Sequence, residues 1–488
     1  LWNSFSKRII KDLNGENKII LVSSIPVKVR FVRITMIESS YTTKENSVDI
    51  RDCSGFAIKE IEVGLLDTKE KFHDWIKHAA KNNKQSVMHV SSTDPWHRAI
   101  DIDTNTEQAG VDRFFASGLI NHPPAMMPVA LLYDTPDNMV ALLQYLLEKH
   151  YPVQELEMGE EPEGQLIYPE DYATLYCQLA AAIKKVAPAM QLGGPCFASL
   201  PTQEENDYAF TERKWTSHFL KYLEDHNSLA AFNFFSFEWY PFDDICAPTA
   251  PQLASAPYML TTALKDFRDH ILPVNTPIYI TEYGYSAHSG RAEVDIEGAM
   301  MYADILGKFL TMGGDKAFLY GYEPTYPDKQ NNCEWGNNML FGMDEKGKIN
   351  YHTAAYYGMQ MITQLWAQPA SKPLELYPAI CNIMNKQQQT LITAYAIRRP
   401  DNKWSIAFIN KDPKRSWNVE VNILNTESGT SSGLHFPLYM QQYSRIQYHW
   451  ENKGSESHPT LSLPPIEKIM NKVSAVNLPP YSLTVITE

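Results

Sequence analysis

The chain reads as an α/β protein: a (β/α)8 barrel followed by an antiparallel β-sandwich, with a strand-like segment ahead of the barrel. Three observations carry that reading. Short apolar runs alternate with helical patterns from about residue 85 to 366, and after Trp366 the hydrophobic period switches to two. Two glutamate motifs also stand where extended runs stop, Gly159-Glu160-Glu161-Pro162-Glu163-Gly164 and Thr281-Glu282-Tyr283-Gly284.

Residues 1–66 hold extended patterns such as Arg30-Phe31-Val32-Arg33-Ile34 and Ile58-Lys59-Glu60-Ile61-Glu62-Val63. Barrel strands are expected at 86–90, 113–115, 127–133, 153–158, 190–193, 231–237, 278–281 and 317–320. Most of these runs are apolar on consecutive residues, as a sheet covered on both faces requires. Thr135 is placed to cap a helix that begins at Pro136 and carries Val140, Leu143 and Leu147 on one face. Pro169 opens another, with Tyr172, Leu175, Tyr176, Leu179, Ile183 and Val186 at helical spacing before Pro188 ends it. Residues 97–111 read as loop, which leaves the first repeat irregular.

Beyond Trp366, Trp417, Val419, Val421 and Ile423 alternate with Asn418, Glu420 and Asn422. Tyr481, Leu483 and Val485 alternate with Ser482 and Thr484 in the same way, as half-buried antiparallel strands do. The expected boundaries are 1–66, 67–368 and 369–488.

Composition narrows the function. With 43 basic against 57 acidic residues the net charge is −14, and no Lys/Arg run tracks a phosphate backbone, so nucleic acid is excluded as a partner. No apolar run reaches membrane-spanning length. The six cysteines are scattered without a C-x-x-C pair, which speaks against a zinc ribbon or a disulfide framework. No H-E-x-x-H or Cys/His cluster is present, so neither a metal nor another cofactor is expected. Asp101-Ile102-Asp103-Thr104-Asn105 opens like a calcium loop, but Thr106 stands where glycine is needed and Asp112 where the closing glutamate belongs; it reads as a solvated loop. The chain opens at Leu1 rather than Met, so a fragment without its signal peptide is expected.

By strand count Glu161 follows the fourth strand and Glu282 the seventh, on the barrel face where active sites form. Two carboxyl groups facing one sugar linkage are the minimum equipment for glycoside hydrolysis. Glu161 is the candidate general acid/base, with Glu157, Glu160 and Glu282 placed to raise its pKa by like-charge repulsion. Glu282 is the candidate nucleophile, ionised and about 5–5.5 Å from Glu161 if configuration is retained. Glu157 shares strand parity with Glu161 and points inward, where an Arg or Lys partner is expected. Trp335, beside Asn331, Asn332 and Glu334 after the eighth strand, is a sugar platform or a loop anchor. Asp94, Trp96 and His97 follow the first strand on the same rim as candidate substrate contacts. Tyr283 is another candidate contact, with packing as its competing role.

With strand count and motifs together, residues 67–368 resemble glycoside hydrolase clan A, retaining enzymes on a (β/α)8 TIM barrel. The match rests on Glu160-Glu161-Pro162 after strand four and Ile280-Thr281-Glu282-Tyr283-Gly284 at strand seven. Similarity to family 39 rests on Gly193-Gly194-Pro195, on Phe235-Ser236-Phe237-Glu238-Trp239-Tyr240-Pro241, and on a sandwich ending Leu478-Pro479-Pro480-Tyr481-Ser482-Leu483. Residues 20–66 are similar to the closing strands of a discoidin-type jelly roll. The resemblance implies that Tyr240 hydrogen-bonds Glu282, that the substrate is a β-linked oligo- or polysaccharide, and that the protein works outside the cytoplasm. Glu160 stands where the clan has an Asn against the sugar 2-hydroxyl, and Glu238 where a His is often found; both are candidate substrate-binding residues. A carboxylate accepts hydrogen bonds but does not donate them, so the sugar differs or the chemistry is lost. A non-catalytic glycan-binding protein and a transglycosylase therefore stay open beside the hydrolase. Oligomeric state is not legible.

Overall fold

In the computed structural model the described residues are 63–67, 71–74, 111–119, 124–132, 136–165, 167–201, 212–329, 333–344, 346–369, 372–472 and 475–488, with a few positions between 21 and 28. The strand expected at 86–90, nearly all of the N-terminal segment, the calcium-like loop and Asp94, Trp96 and His97 lie outside them. Contacts divide the chain into two compact units, residues 1–123 with 134–151, and residues 124–133 with 152–488.

Within the first unit, β1 (Gly64–Leu66) and β2 (Phe72–Asp74) form an antiparallel hairpin. Two helices follow, α1 (Val111–Ser117) and α2 (Pro136–Glu148). The second barrel strand expected at 113–115 is therefore a turn of helix. A three-residue apolar run does not choose between helix and strand, and the choice here is tertiary. Asp112 accepts hydrogen bonds from Tyr145 (2.6 Å) and Tyr151 (2.5 Å), and Phe115 stacks on Tyr151 at 4.0 Å. The buried face of α2 is Met139, Leu142, Leu143 and Leu146, while Leu147 is exposed, so the expected face is rotated.

The second unit holds six parallel strands hydrogen-bonded in sequence order: β3 (Ala125–Val129), β4 (Val153–Met158), β5 (Gln191–Phe197), β6 (Phe234–Trp239), β7 (Ile278–Tyr283) and β8 (Lys316–Leu319). That order is the wall of a (β/α) barrel. Helices α3 (Pro169–Val186), α4 (Glu212–Asp225), α5 (Thr249–His270), α6 (Arg291–Val294) and α7 (Ile296–Thr311) lie between and after them. The spacing read for α3 is the one that packs: Tyr172, Tyr176, Leu179 and Ile183 are buried, and Tyr172 meets Trp215 and Phe219 of α4 edge-on at 5.0 and 5.3 Å. Inside the wall, Glu155 of β4 accepts hydrogen bonds from Lys316 Nζ at 2.6 Å and from the Tyr279 hydroxyl at 2.9 Å. The inward acid with a lysine partner is thus Glu155, two residues before the one expected.

Past the wall, a six-stranded antiparallel sheet runs in the spatial order Glu375–Tyr377, Ile392–Arg398, Trp404–Asn410, Ser482–Thr487, Leu438–Ser444, Ile466–Met470. One face packs on the paired strands Trp417–Val419 and Val476–Leu478 through Ile406, Phe408, Met440, Leu478 and Ile486, which makes a sandwich. The alternation read at 417–423 is present as half-buried and exposed positions. Ser482–Thr487, by contrast, is buried on both faces, because it is central and its far side faces the barrel. There Asp304 of α7 accepts from Thr393 and Tyr395 hydroxyls, each at 2.6 Å, and pairs with Lys411 at 3.1 Å. Among the described residues one long-range disulfide, Cys246–Cys333, joins the segments after β6 and β8, a lone bridge and not a framework; a single distant pair leaves no spacing signature in a sequence.

Candidate active site

The C-terminal ends of β4, β5, β6 and β7 converge, and four short stretches of backbone set the site. At the end of β4, Gly159 turns the chain at φ +91°, where an added Cβ would meet Tyr172 at 3.3 Å. Glu161 then takes a left-handed φ of 44°, and its N–H donates to the Cys196 carbonyl at 2.8 Å. Cys196, at the end of β5, is itself left-handed at φ 59°. Two neighbouring non-glycine residues in that region cost about 1–3 kcal/mol each and persist only where the surroundings enforce them, as at functional sites. Here the enforcement includes Glu163, whose buried carboxylate accepts from the Ala198 N–H at 2.6 Å and is pushed up to about 8, chiefly by burial. Glu163 was not singled out in the sequence; its only signal was a third acid in the motif.

Strand parity supplies the floor. Glu157, inward from β4, is 9% exposed and has no cation acting on it among the described residues; burial raises its pKa to about 7, with Ser236, Thr281 and Cys196 pulling back and Glu160 adding repulsion. Among the described residues Glu157 Oε1 has no hydrogen-bond partner. The Cys196 thiol donates to Glu238 Oε1 at 3.6 Å and lies 3.4 Å from Thr281 Oγ1, so β5, β6 and β7 meet at one sulfur. Burial, with acidic neighbours, pushes that thiol up, so it stays protonated.

Above this floor the carboxylates of Glu160, Glu238 and Glu282 bring oxygens within 4.8 Å of one another. Tyr240 donates to Glu282 Oε2 at 2.8 Å. The glycine of the Thr-Glu-Tyr-Gly motif gives the Tyr240 ring its room, since a Cβ on Gly284 would lie 2.9 Å from Tyr240 Cε1. The Glu238 pKa is pushed up to about 9, first by burial and then by Glu282, Glu161 and Glu160. Glu282 is also raised by burial and by Glu160 and Glu161, with the Tyr240 hydrogen bond opposing. Glu160 is raised by burial and by Glu161. Three acid oxygens at this spacing suit a cation or a donor-rich ligand.

Beside Glu282 lies a cavity of about 320 Å3 lined by Thr281, Glu282, Leu319, Tyr320, Gly321, Tyr322, Glu323 and Met339. Tyr320 and Tyr322 were not singled out in the sequence; aromatics straight after β8 were the available signal. Trp335 does not line this cavity; its carbonyl accepts from Trp450 Nε1 at 2.9 Å, and neighbouring Glu334 pairs with Arg291 at 2.8 Å. Tyr283 is buried, with its ring edge-on to Tyr302 at 6.0 Å, so it packs behind the site instead of facing it. Glu160, Glu238, Glu282 and Tyr240 are brought together as read, and Glu161 stands beside them in the chain.

No protein-family model matches the chain, and no curated protein matches it in sequence. Solved structures do. A family 51 α-L-arabinofuranosidase from Bifidobacterium longum superposes with a TM-score of 0.55 at 13% identity, covering 78% of each chain. An α-L-arabinofuranosidase from Thermotoga maritima gives 0.55 at 13% identity, covering 84% of this chain and 88% of its own. At such identity the likeness shows the fold alone: a (β/α)-barrel wall with a β-rich domain attached.

Proposed function

We propose that the protein is a retaining glycoside hydrolase of clan A type that cleaves β-linked glycans, with Glu161 as general acid/base and Glu282 as nucleophile. The observation that carries this is the Tyr240–Glu282 hydrogen bond of 2.8 Å at the end of β7, facing the β4 glutamates in a parallel barrel wall. A phenol donating to a carboxylate favours its ionised form, which a nucleophile requires. Glu161 protonates the glycosidic oxygen while Glu282 attacks the anomeric carbon; Glu161 then takes a proton from water, which releases the sugar with retained configuration. Residues 67–368 form the barrel, residues 369–488 brace it, and residues 1–66 carry the discoidin-like piece. The Cys246–Cys333 disulfide supports an extracytoplasmic location.

The test is hydrolysis of aryl β-xyloside, β-glucoside, β-galactoside and β-glucuronide, aryl α-L-arabinofuranoside and oligosaccharides, with product configuration read by proton NMR. Glu161→Gln and Glu282→Gln are each expected to lose at least about a thousandfold in kcat/KM. Tyr240→Phe is expected to lose roughly ten- to a hundredfold, the worth of a hydrogen bond to a charged group. Binding without turnover in the wild type would make the protein a glycan-binding barrel. Transfer of the sugar to an added alcohol or sugar in place of water would make it a transglycosylase.

A further inference from the structure

The ligand-facing end of this site is more acidic than the chemistry proposed above uses. That chemistry employs Glu161 and Glu282, yet Glu160 and Glu238 also bring carboxylate oxygens within 4.8 Å of Glu282. Among the described residues no lysine, arginine or histidine acts on Glu160 or Glu282; the charge acting on Glu160 is that of Glu161, and those acting on Glu282 are those of Glu160 and Glu161. Beneath them Glu157, nine-tenths buried, has Oε1 without a hydrogen-bond partner among the described residues; of the three groups that act on this carboxyl, Ser236, Thr281 and Cys196, the last two also border Glu282 and Glu238. Clustered acids repel unless a counter-charge joins them, and unpaired buried acceptors carry a desolvation cost that a donor removes. The partner that such a cluster takes is therefore positively charged.

Two occupants have that chemistry, a metal ion and an ammonium on the substrate. The structure favours the ammonium. Glu282 Oε2 is already engaged by the Tyr240 hydroxyl, and the adjoining cavity of about 320 Å3 has the size of a sugar ring, not of an ion. A calcium ion also needs about six to eight oxygens in its shell, against three acids gathered here. Resting on the glycosidase reading, we propose that the protein selects amino sugars, with Glu160 and Glu238 binding a free ammonium on the carbon next to the one Glu282 attacks. Both acids sit close enough to the nucleophile to reach a substituent one bond away from the reacting centre. Sugars carrying carboxylates are repelled by the same field.

The experiment uses aryl β-glycosides identical except at carbon 2, bearing hydroxyl, free amine or acetamide, in the gluco and galacto series at pH 6. The amine member is expected to be preferred over the hydroxyl member by at least about tenfold in kcat/KM. Glu160→Gln should bring that ratio to near one. Glu238→Gln carries the same expectation if Glu160→Gln fails to fold. Preference for the hydroxyl or acetamide member by the wild type overturns the inference and leaves the glycosidase reading standing. Turnover that depends on added calcium and is abolished by chelator overturns it in favour of a metal site. Absence of both turnover and calorimetric binding across all members overturns both readings.

Discussion

Glu157, Glu160, Glu161, Glu238 and Glu282 crowd into one strand-end cluster, and the surrounding residues show how this is tolerated. Protonation relieves part of the repulsion, as the rise of Glu238 to about 9 indicates, and one phenol steadies Glu282. A comparable acid lies away from the site. Glu293 is fully buried, accepts from the Ser286 N–H at 2.6 Å and the Tyr302 hydroxyl at 2.7 Å, and is pushed by burial from 4.5 to about 8. The folded protein thus keeps a proton that the unfolded chain releases near 4.5. Its contribution to stability is full below that pH and is lost as pH rises toward 8, by at most about 1.4 kcal/mol per pH unit. Glu293→Gln, which mimics the protonated acid, should flatten the decline of the thermal midpoint between pH 5 and 8. At this scale the sequence disclosed groups whose chemistry sits in a motif, namely Glu160, Glu161, Glu282, Glu238 and Tyr240. It did not disclose the lysine on Glu155, supplied by Lys316 from β8, or the clasp from Glu163 to Ala198, because both depend on which strands end up adjacent.

Strands β4 to β8 were legible as elements because most are short apolar runs bounded by turn residues, and α3 because its stripe repeats over five turns. The run at 113–115 failed for the opposite reason: three residues carry no period, and Asp112 with two tyrosines decided the matter. Gly193, read only as part of a Gly-Gly-Pro motif, has a packing reason. A Cβ there would fall 2.2 Å from the Phe234 ring, and Phe234 is backed by Tyr279 stacked at 4.4 Å. With the ring unable to retreat, Gly193→Ala should cost about 1–3 kcal/mol, read as a lowered midpoint in urea with unchanged slope.

On the scale of the whole molecule, the sandwich and the six-stranded parallel wall lie in one compact unit, and the join between them is polar as well as apolar. Asp304 on α7 gathers Lys411, Thr393 and Tyr395, and Lys411 is completely buried. Removing one partner of such a pair leaves an uncompensated buried charge, so Lys411→Met should destabilise by about 3–5 kcal/mol. Lys411→Met with Asp304→Asn should recover part of that, and differential scanning calorimetry of the three proteins checks it. Period-two patterning announced the sandwich but not its attachment, since Thr393 and Asp304 come from segments with no sequence signal linking them.

The Cys246–Cys333 bond closes a covalent ring that contains all of β7 and β8, and therefore the residue proposed to attack the sugar. Within that ring the turn at Val274 is 90% exposed, an open target for proteases in any secretion-rich habitat. A single cut there severs the chain without parting it: the two pieces stay tethered through the bond beyond β6 and β8, so damage to the polypeptide need not mean loss of the working face.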